Sequence, residues 1–393
     1  MELFSDFSLS IAEQIAAIVL IITLAFQLFF YFRYLNITLR FKHKERKGRL
    51  TFQQEKLPVS VIICARDETE NLRKFLPEIL KQDYPDFEVI VVNDGGNEET
   101  EILLREMKKE YAMLRSTFVP DGTTNLSTKK LALTLGIKAA KNEWLLFTDA
   151  DCIPESNQWV SKMSRNFVPN VGFVLGYGAY LSAKGFLNRL ITYDTLFNAL
   201  QYLGYAAAGK PYMGVGRNMA YRKEMFFREK GFASTLHLRS GDDDLMVNKF
   251  AGKGNTRIET SADSITWSQA EKTFKRWYYQ KERHLSVSTF YRTASKLQLI
   301  AEPFSRGLFY LAMLVLIVQG MTTLNWLLVA IPTAFFLLKM LVLGIIINRS
   351  SKYYGGRKYV LLLPVFDVIL PLLSAFIMTF GRMGKKAVNI SWK

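Results

Sequence analysis

Apolar residues are concentrated in three blocks of this chain and are patterned differently between them. Gln14 to Phe32 (QIAAIVLIITLAFQLFFYF) holds no charge, Gly307 to Leu338 holds none and continues in apolar sequence to Ile347, and Tyr359 to Phe380 holds one. At ~1.5 Å of rise per residue, each block is long enough to cross the ~30 Å hydrocarbon core of a bilayer. Residues 57 to about 285 alternate instead between short apolar runs and amphipathic stretches. VSVIICA (59–65) and FEVIVVND (87–94) are continuous enough to be strands buried on both faces of a parallel sheet. Between them, ETENLRKFLPEILKQ places Leu72, Phe75, Leu76, Ile79 and Leu80 on one helical face. A Glu- and Lys-rich helix, a short strand before VPDG, the amphipathic STKKLALTLGIKAAK and a further strand, EWLLFTDAD, complete the pattern.

Strand, helix, strand in this order predicts a right-handed parallel α/β sheet. In such sheets ligands lie beyond the carboxyl ends of the strands, where this chain places Asp94, Asp149 and Asp151. On an extended chain alternate side chains point the same way, so Asp149 and Asp151 should converge on one patch. Carboxylates that close repel unless a cation or a shared proton holds them.

Charge gives the membrane segments a direction. The residues before the first span are acidic (Glu2, Asp6, Glu13), and Arg33, Arg40, Lys42, Lys44, Arg46, Lys47 and Arg49 follow it. A cleaved signal peptide needs the opposite arrangement. The asymmetry predicts an uncleaved anchor with its N-terminus outside and the following domain in the cytoplasm. Such juxtamembrane clusters account for much of the net charge of +16 in 393 residues, and they suit anionic lipid headgroups rather than nucleic acid. Cys64 and Cys152 are two isolated cysteines, consistent with a reducing compartment and too few for a zinc site.

The chemistry-bearing motifs narrow the class. No G-x-G-x-x-G fingerprint and no G-K-[ST] follows a strand, which argues against a dinucleotide-binding or P-loop enzyme. A divalent cation on Asp149 and Asp151 is the alternative anchor for a phosphate, and magnesium or manganese suits carboxylate ligands. SGDDDLMVNKF (240–250) sets three carboxylates before an amphipathic segment. A helix N-terminus accounts for one of them, and another near the acidic rim is a candidate general base. TFKRWYYQKERHLSVSTFY (273–291) mixes cations with large aromatics, as helices at a membrane interface do. One face could lie on lipid while the other offers Gln280, Arg283 and His284 to a diphosphate.

The order of these motifs resembles the membrane-embedded glycosyltransferases of family 2, which include cellulose, chitin and hyaluronan synthases and ceramide glucosyltransferase. The likeness extends over nearly the whole chain, and five motifs in order carry it. VSVIICARDETENL is similar to the family's first strand and donor-binding turn, which assigns Ala65 and Glu68 to the donor. VIVVNDGG puts Asp94 where the family holds the nucleoside, and STKKLALTLGI puts Lys129 at the family's lysine. FTDAD looks like the metal-binding D-x-D, with Asp149 and Asp151 as ligands and Asp149 also facing the donor. SGDDDL resembles the catalytic-base motif, with Asp243 as the base. The family's Q-x-x-R-W stands here as QKERH, with His284 in place of tryptophan. TFKRW, with Arg276 and Trp277, is a second candidate that lacks the glutamine, and the upstream Thr-Phe and Trp277 offsets favour 280–284. GVGRNMAYRK (214–223) is similar to the acceptor-side loop or is an ordinary tight turn.

The resemblance implies an α/β nucleotide-diphospho-sugar transferase (GT-A) fold with a mostly parallel sheet and transmembrane helices at both ends. The corresponding divisions are an anchor (1–33), a basic segment (34–56), a cytoplasmic catalytic domain (57–284), an interfacial helix (285–304), about three further spans (305–381) and a basic tail (382–393). It also implies Mg2+ or Mn2+, a nucleotide-sugar donor, a lipid or glycan acceptor, membrane lipids as partners, no nucleic acid, and a bacterial inner membrane. An inverting transfer to a membrane-associated acceptor is expected, with a processive polysaccharide synthase as the alternative. A nucleotidyltransferase would need neither the acid triplet nor Q-x-x-R, and an inactive scaffold would not need intact D-A-D and D-D-D. Within the apolar tail, Lys339 and Asp367 fall at one depth on neighbouring antiparallel spans and are expected to pair. One span in front and three behind would leave the basic tail outside, against the positive-inside rule, unless the last segment, interrupted by Pro364 and Pro371, turns back.

Overall fold

The computed structural model describes residues 9–95, 98–120, 128–228, 230–236, 238 and 240–381. The first span is helix α1 (Ile11–Phe30), which widens into a π turn at Tyr31–Leu35 before basic α2 (Ile37–Arg46). The elements β1 (Val59–Ala65), α3 (Thr69–Leu80), β2 (Phe87–Asn93), α4 (Glu98–Glu110), β3 (Leu114–Phe118), α5 (Thr128–Ala139) and β4 (Trp144–Asp149) follow as the periodicity predicts. Then come β5 (Ile153–Pro154), α6 (Trp159–Ser164), β6 (Phe173–Leu175), β7 (Gly178–Tyr180), α7 (Phe186–Ala207), β8 (Met219–Arg222) and α8 (Lys223–Phe227). The last elements are α9 (Asp244–Phe250), β9 (Thr256–Ile258), β10 (Thr266–Ser268), α10 (Phe274–Ser288), α11 (Thr293–Thr322), α12 (Trp326–Tyr353) and α13 (Leu363–Phe380). Residues 285–304 are shared between the end of α10, a turn and the first turns of α11.

The main sheet has the order β3-β2-β1-β4-β8-β6-β9. Strands β1 to β4 pair in parallel, and β8 runs antiparallel between β4 and β6. Every residue of β1 and β2 is buried, as continuous apolar runs covered on both faces require. The strands end level, Ala65 opposite Asn93 and Cys64 opposite Asp149, so their carboxyl ends form one rim. A small sheet, β5-β10-β7, stands beside that rim.

Among the described residues, four helices are long and apolar enough to cross a membrane, beginning at Ile11, Thr293, Trp326 and Leu363. Ala16, Leu20 and Leu24 of α1 pack with Phe309, Ala312 and Leu316 of α11, while Ile15, Ile18, Ile22, Leu311, Leu314 and Leu337 face outward. Helices apolar on both faces belong in lipid. Among them, Lys339 and Asp367 do form a fully buried ion pair. It is part of a larger cluster. Tyr310 donates to Asp367 at 2.6 Å, Arg306 lies 3.2 Å from Asp367, and Arg306 binds Glu302 at 2.5 Å. Gln27 of α1 joins by donating to the Glu302 carbonyl at 3.1 Å.

The basic segment after α1 meets the end of α12 and the loop that follows it, beside the α/β domain. Thr38 hydrogen-bonds Tyr354 at 3.0 Å, the Lys42 ammonium lies 4.5 Å from the Tyr353 ring centre, and Arg357 donates to the Ala183 carbonyl at 2.8 Å. Both ends of α13 touch the same domain. Phe366 packs on Tyr193 of α7 with ring centres 5.1 Å apart, and a side chain at Gly381 would meet Glu282 of α10.

Candidate active site

The rim is built by strand ends and the loops after them. Asp94 follows β2 directly, is buried, and donates its N–H to the Ala65 carbonyl at 2.7 Å. Its carboxylate lies 4.0 Å from the Arg66 guanidinium. Glu68 precedes α3 and accepts from Asn71 at 2.5 Å. Ala65 and Glu68 bound the turn after β1, and Asp94, after β2, is hydrogen-bonded to its first residue.

Asp149 and Asp151 converge by a different route from strand alternation. Strand β4 ends at Asp149 and the chain turns at Ala150 and Asp151, so the turn supplies the juxtaposition. Ligand atoms of Asp149, Asp151 and Cys152 lie within 4.8 Å of one another. Ser268 of β10 donates to one Asp151 oxygen at 2.5 Å, and the buried Cys152 thiol lies 3.5 Å from the other. Two half-exposed carboxylates with open coordination sites fit a hard divalent cation that keeps further places for phosphate oxygens and water. Burial pushes the Asp149 carboxyl up, but the Lys129 ammonium, then Arg217 and Arg283, hold it below the usual carboxylate value.

Lys129 is central to this arrangement. Its ammonium lies 3.3 Å from Asp149 and 3.7 Å from Asp242, so one cation joins the metal-type pair to the acid triplet. The three acids have distinct surroundings. Asp242 faces Lys129. Asp244 is buried and accepts from the Tyr291 hydroxyl at 2.9 Å. Asp243 is the cap of α9, with one oxygen accepting from the Asp244 N–H at 2.8 Å and the other from the Gly216 N–H at 2.7 Å. The residue assigned as the base is thus also the helix cap. Burial and the Asp242 charge push its carboxyl above the usual value, against Lys129 and the two N–H donors. Gly241, just before the triplet, has φ +86°, a conformation that suits glycine.

Helix α10 supplies one guanidinium and two neutral polar groups. Gln280, Arg283 and His284 share a face at i, i+3 and i+4. Gln280 donates to the Tyr180 hydroxyl at 3.1 Å. His284 is exposed; partial loss of hydration, then Arg283, Arg217 and Lys129, hold its imidazole below the ordinary histidine range. The alternative TFKRW reading does not reach the site, because Arg276 is solvent-exposed and Trp277 is buried in the core. That burial also removes Trp277 from the headgroup role its composition suggested.

Sequence reasoning passed over Arg217 and Asp242. Arg217 stacks 4.2 Å over the Tyr180 ring and donates to the Gly178 carbonyl at 2.9 Å. Its signal was the cation inside GVGRNMAYRK, a stretch noticed for its glycines. Asp242 was visible only as one of three equivalent letters.

Residues 60–227 match the family model for glycosyl transferase family 2, and residues 144–347 match that for glycosyl transferase family group 2. A probable glycosyltransferase, YdaM, of Bacillus subtilis (strain 168) is 25% identical over 238 residues, 57% of this chain and 54% of that protein. A poly-beta-1,6-N-acetyl-D-glucosamine synthase of Staphylococcus epidermidis is 27% identical over 139 residues, 35% of this chain and 32% of that protein. The chain thus spans about half the length of one relative and a third of the other. A mannosyltransferase from Pyrobaculum calidifontis, solved with GDP-Man and Mn2+, superposes with a TM-score of 0.53 at 18% identity, over 91% of this chain and 99% of that one. The shared architecture is the GT-A fold.

Proposed function

The chain belongs to glycosyl transferase family group 2, whose model spans more than half of it, and from that premise we propose that it moves a sugar from a nucleotide-diphosphate donor to a membrane-associated acceptor with inversion. The observation that carries this reading is Lys129, which ties Asp149 beside the diphosphate position to Asp242 beside the base.

The nucleoside lies along Ala65, Glu68 and Asp94, and the diphosphate over the strand ends. Asp149 and Asp151 would hold Mg2+ or Mn2+. A cation bound there supplies positive charge against the departing diphosphate. Arg283 adds a guanidinium to that charge, and Gln280 and His284 line the approach as neutral groups. Asp243 takes the proton of an acceptor hydroxyl, its carboxylate aimed by the Gly216 and Asp244 N–H groups. The hydroxyl oxygen attacks the anomeric carbon as the bond to the diphosphate breaks. One base and no protein nucleophile gives a single displacement, hence inversion.

The catalytic domain is proposed to face the cytoplasm of a bacterial cell, with the inner membrane supplying a lipid or lipid-linked glycan acceptor. The synthase names among the relatives favour a second reading, a growing polysaccharide. Membranes containing the full chain, incubated with labelled UDP-glucose, UDP-N-acetylglucosamine or GDP-mannose, separate these. Label in solvent-extractable lipid supports the first reading, label in insoluble polymer the second, and no label above empty membranes refutes both.

A further inference from the structure

Lys130 stands next to Lys129 on α5 but points at a different wall, since neighbours on a helix differ by about 100° in direction. Its side chain is completely buried. The ammonium donates to three main-chain carbonyls, of Thr235 at 2.6 Å, Leu238 at 2.8 Å and Ser240 at 3.0 Å. An ammonium has three N–H donors, and here three carbonyls receive them. The tie crosses more than a hundred residues of sequence and ends one residue before Gly241, where the chain enters its left-handed turn into Asp242, Asp243 and Asp244.

A buried charge with only carbonyl dipoles for partners is an expensive way to fill space. A leucine or methionine would fill the same volume and leave three inward-facing carbonyls without donors. Described residues from Thr235 to Asp243 line two cavities. Asp242 and Asp243 line the cleft with Lys129 and Asp149, while Thr235, Leu238 and Gly241 line another cavity. We infer that Lys130 is a positioning residue: through the carbonyls of Thr235, Leu238 and Ser240 it fixes the segment that presents the acid triplet to the cleft. Lys129 and Lys130 thus divide the work, one facing the acids and the other the main chain that carries them. Burial lowers the Lys130 ammonium to about 8, opposed through space by the charges of Asp242 and Asp243, the titratable groups that act on it. A neutral amine has two N–H donors for three carbonyls, so the tie weakens as pH rises through that value.

Full-length Lys130→Met and Lys130→Arg in detergent test the inference. Amide hydrogen exchange over 241–247 should quicken about tenfold or more in Lys130→Met and return to within about threefold of wild type in Lys130→Arg, whose guanidinium still donates. Calorimetry with UDP and GDP in the presence of manganese should show affinities within about twofold of wild type in both variants, while sugar transfer falls about tenfold or more in Lys130→Met alone. The transfer arm rests on the glycosyltransferase reading and the exchange arm does not, so the two can fail separately. A folded Lys130→Met with wild-type exchange over 241–247 overturns the inference, and so does a loss of nucleotide affinity that matches the loss of transfer. Should Lys130→Met not fold, the wild-type chain decides. Protection over 241–247, corrected for intrinsic rates, should fall as pH passes about 8, and protection unchanged through that range overturns the inference.

Discussion

Lys129 lies 3.3 Å from Asp149 and in the same position reaches Asp242 at 3.7 Å. Without its charge, Asp149, Asp242 and Asp243 would lose the ammonium that lies between them, leaving Asp149 only the weaker pull of Arg217 and Arg283. Lys129→Met should therefore lower the thermal midpoint at neutral pH, and Mn2+ should recover more of that loss than it adds to wild type. Transfer should fall about 10²–10³-fold, the usual scale for losing one charge-stabilising group. Thermal scans with and without Mn2+ check this; an equal Mn2+ effect on both proteins would contradict it.

Asp243 makes stability pH-dependent with a definite sign. Its folded value lies above the ordinary carboxylate value, so between the two the native state binds more protons than the unfolded chain. Stability from this group is present at low pH and lost as pH rises through the folded value. Asp243→Asn cannot titrate. Its thermal midpoint relative to wild type should climb as pH rises from the ordinary carboxylate value, about 4, through the raised folded one, whatever constant offset the amide introduces. A difference independent of pH would show that Asp243 is not perturbed.

The sequence made some of this legible and hid the rest for physical reasons. β1, β2 and β4 were readable because strands buried on both faces must be continuous apolar runs. The place of Asp94, Asp149 and Asp151 at the rim was readable because each ends or closely follows a buried strand. The pairing of Lys339 with Asp367 followed from depth alone, but Glu302 and Arg306 escaped notice, lying just outside the uncharged block. The roles of Asp242, Asp243 and Asp244 could not be separated in sequence, because their differences come from Lys129, Gly216 and Tyr291, all distant in the chain. Lys130 was invisible for the same reason, its partners being main-chain carbonyls that no letter encodes.

The membrane cluster predicts strong coupling. Asp367→Asn leaves Lys339 and Arg306 buried with one carboxylate, Glu302, between them, and should cost about 3–5 kcal/mol. Lys339→Met added to it removes the surplus cation and should recover part of that loss. A simple charge swap would do worse, because it places a lysine at 367 against Arg306, 3.2 Å from the present Asp367 carboxylate. Denaturation of the single and double variants in detergent checks this, and additive effects would contradict it.

Both ends of α13 touch the catalytic domain, at Tyr193 and at Glu282. A reporter appended after Lys393 should therefore be reached from the catalytic domain's side of the membrane. That placement also obeys the positive-inside rule for the basic tail. Labelling from the opposite side alone would mean that α13 crosses as a full span.

The most direct test of the account is to measure donor binding and sugar transfer together in Asp243→Asn. Asn keeps the size of the side chain and can still cap α9, but cannot take a proton. Calorimetry with the labelled donor's nucleotide sugar and Mn2+ should give wild-type affinity, while transfer falls by about 10²–10⁴. Unchanged transfer in a folded Asp243→Asn would contradict the account, because the proton of the acceptor hydroxyl would then be leaving by another route.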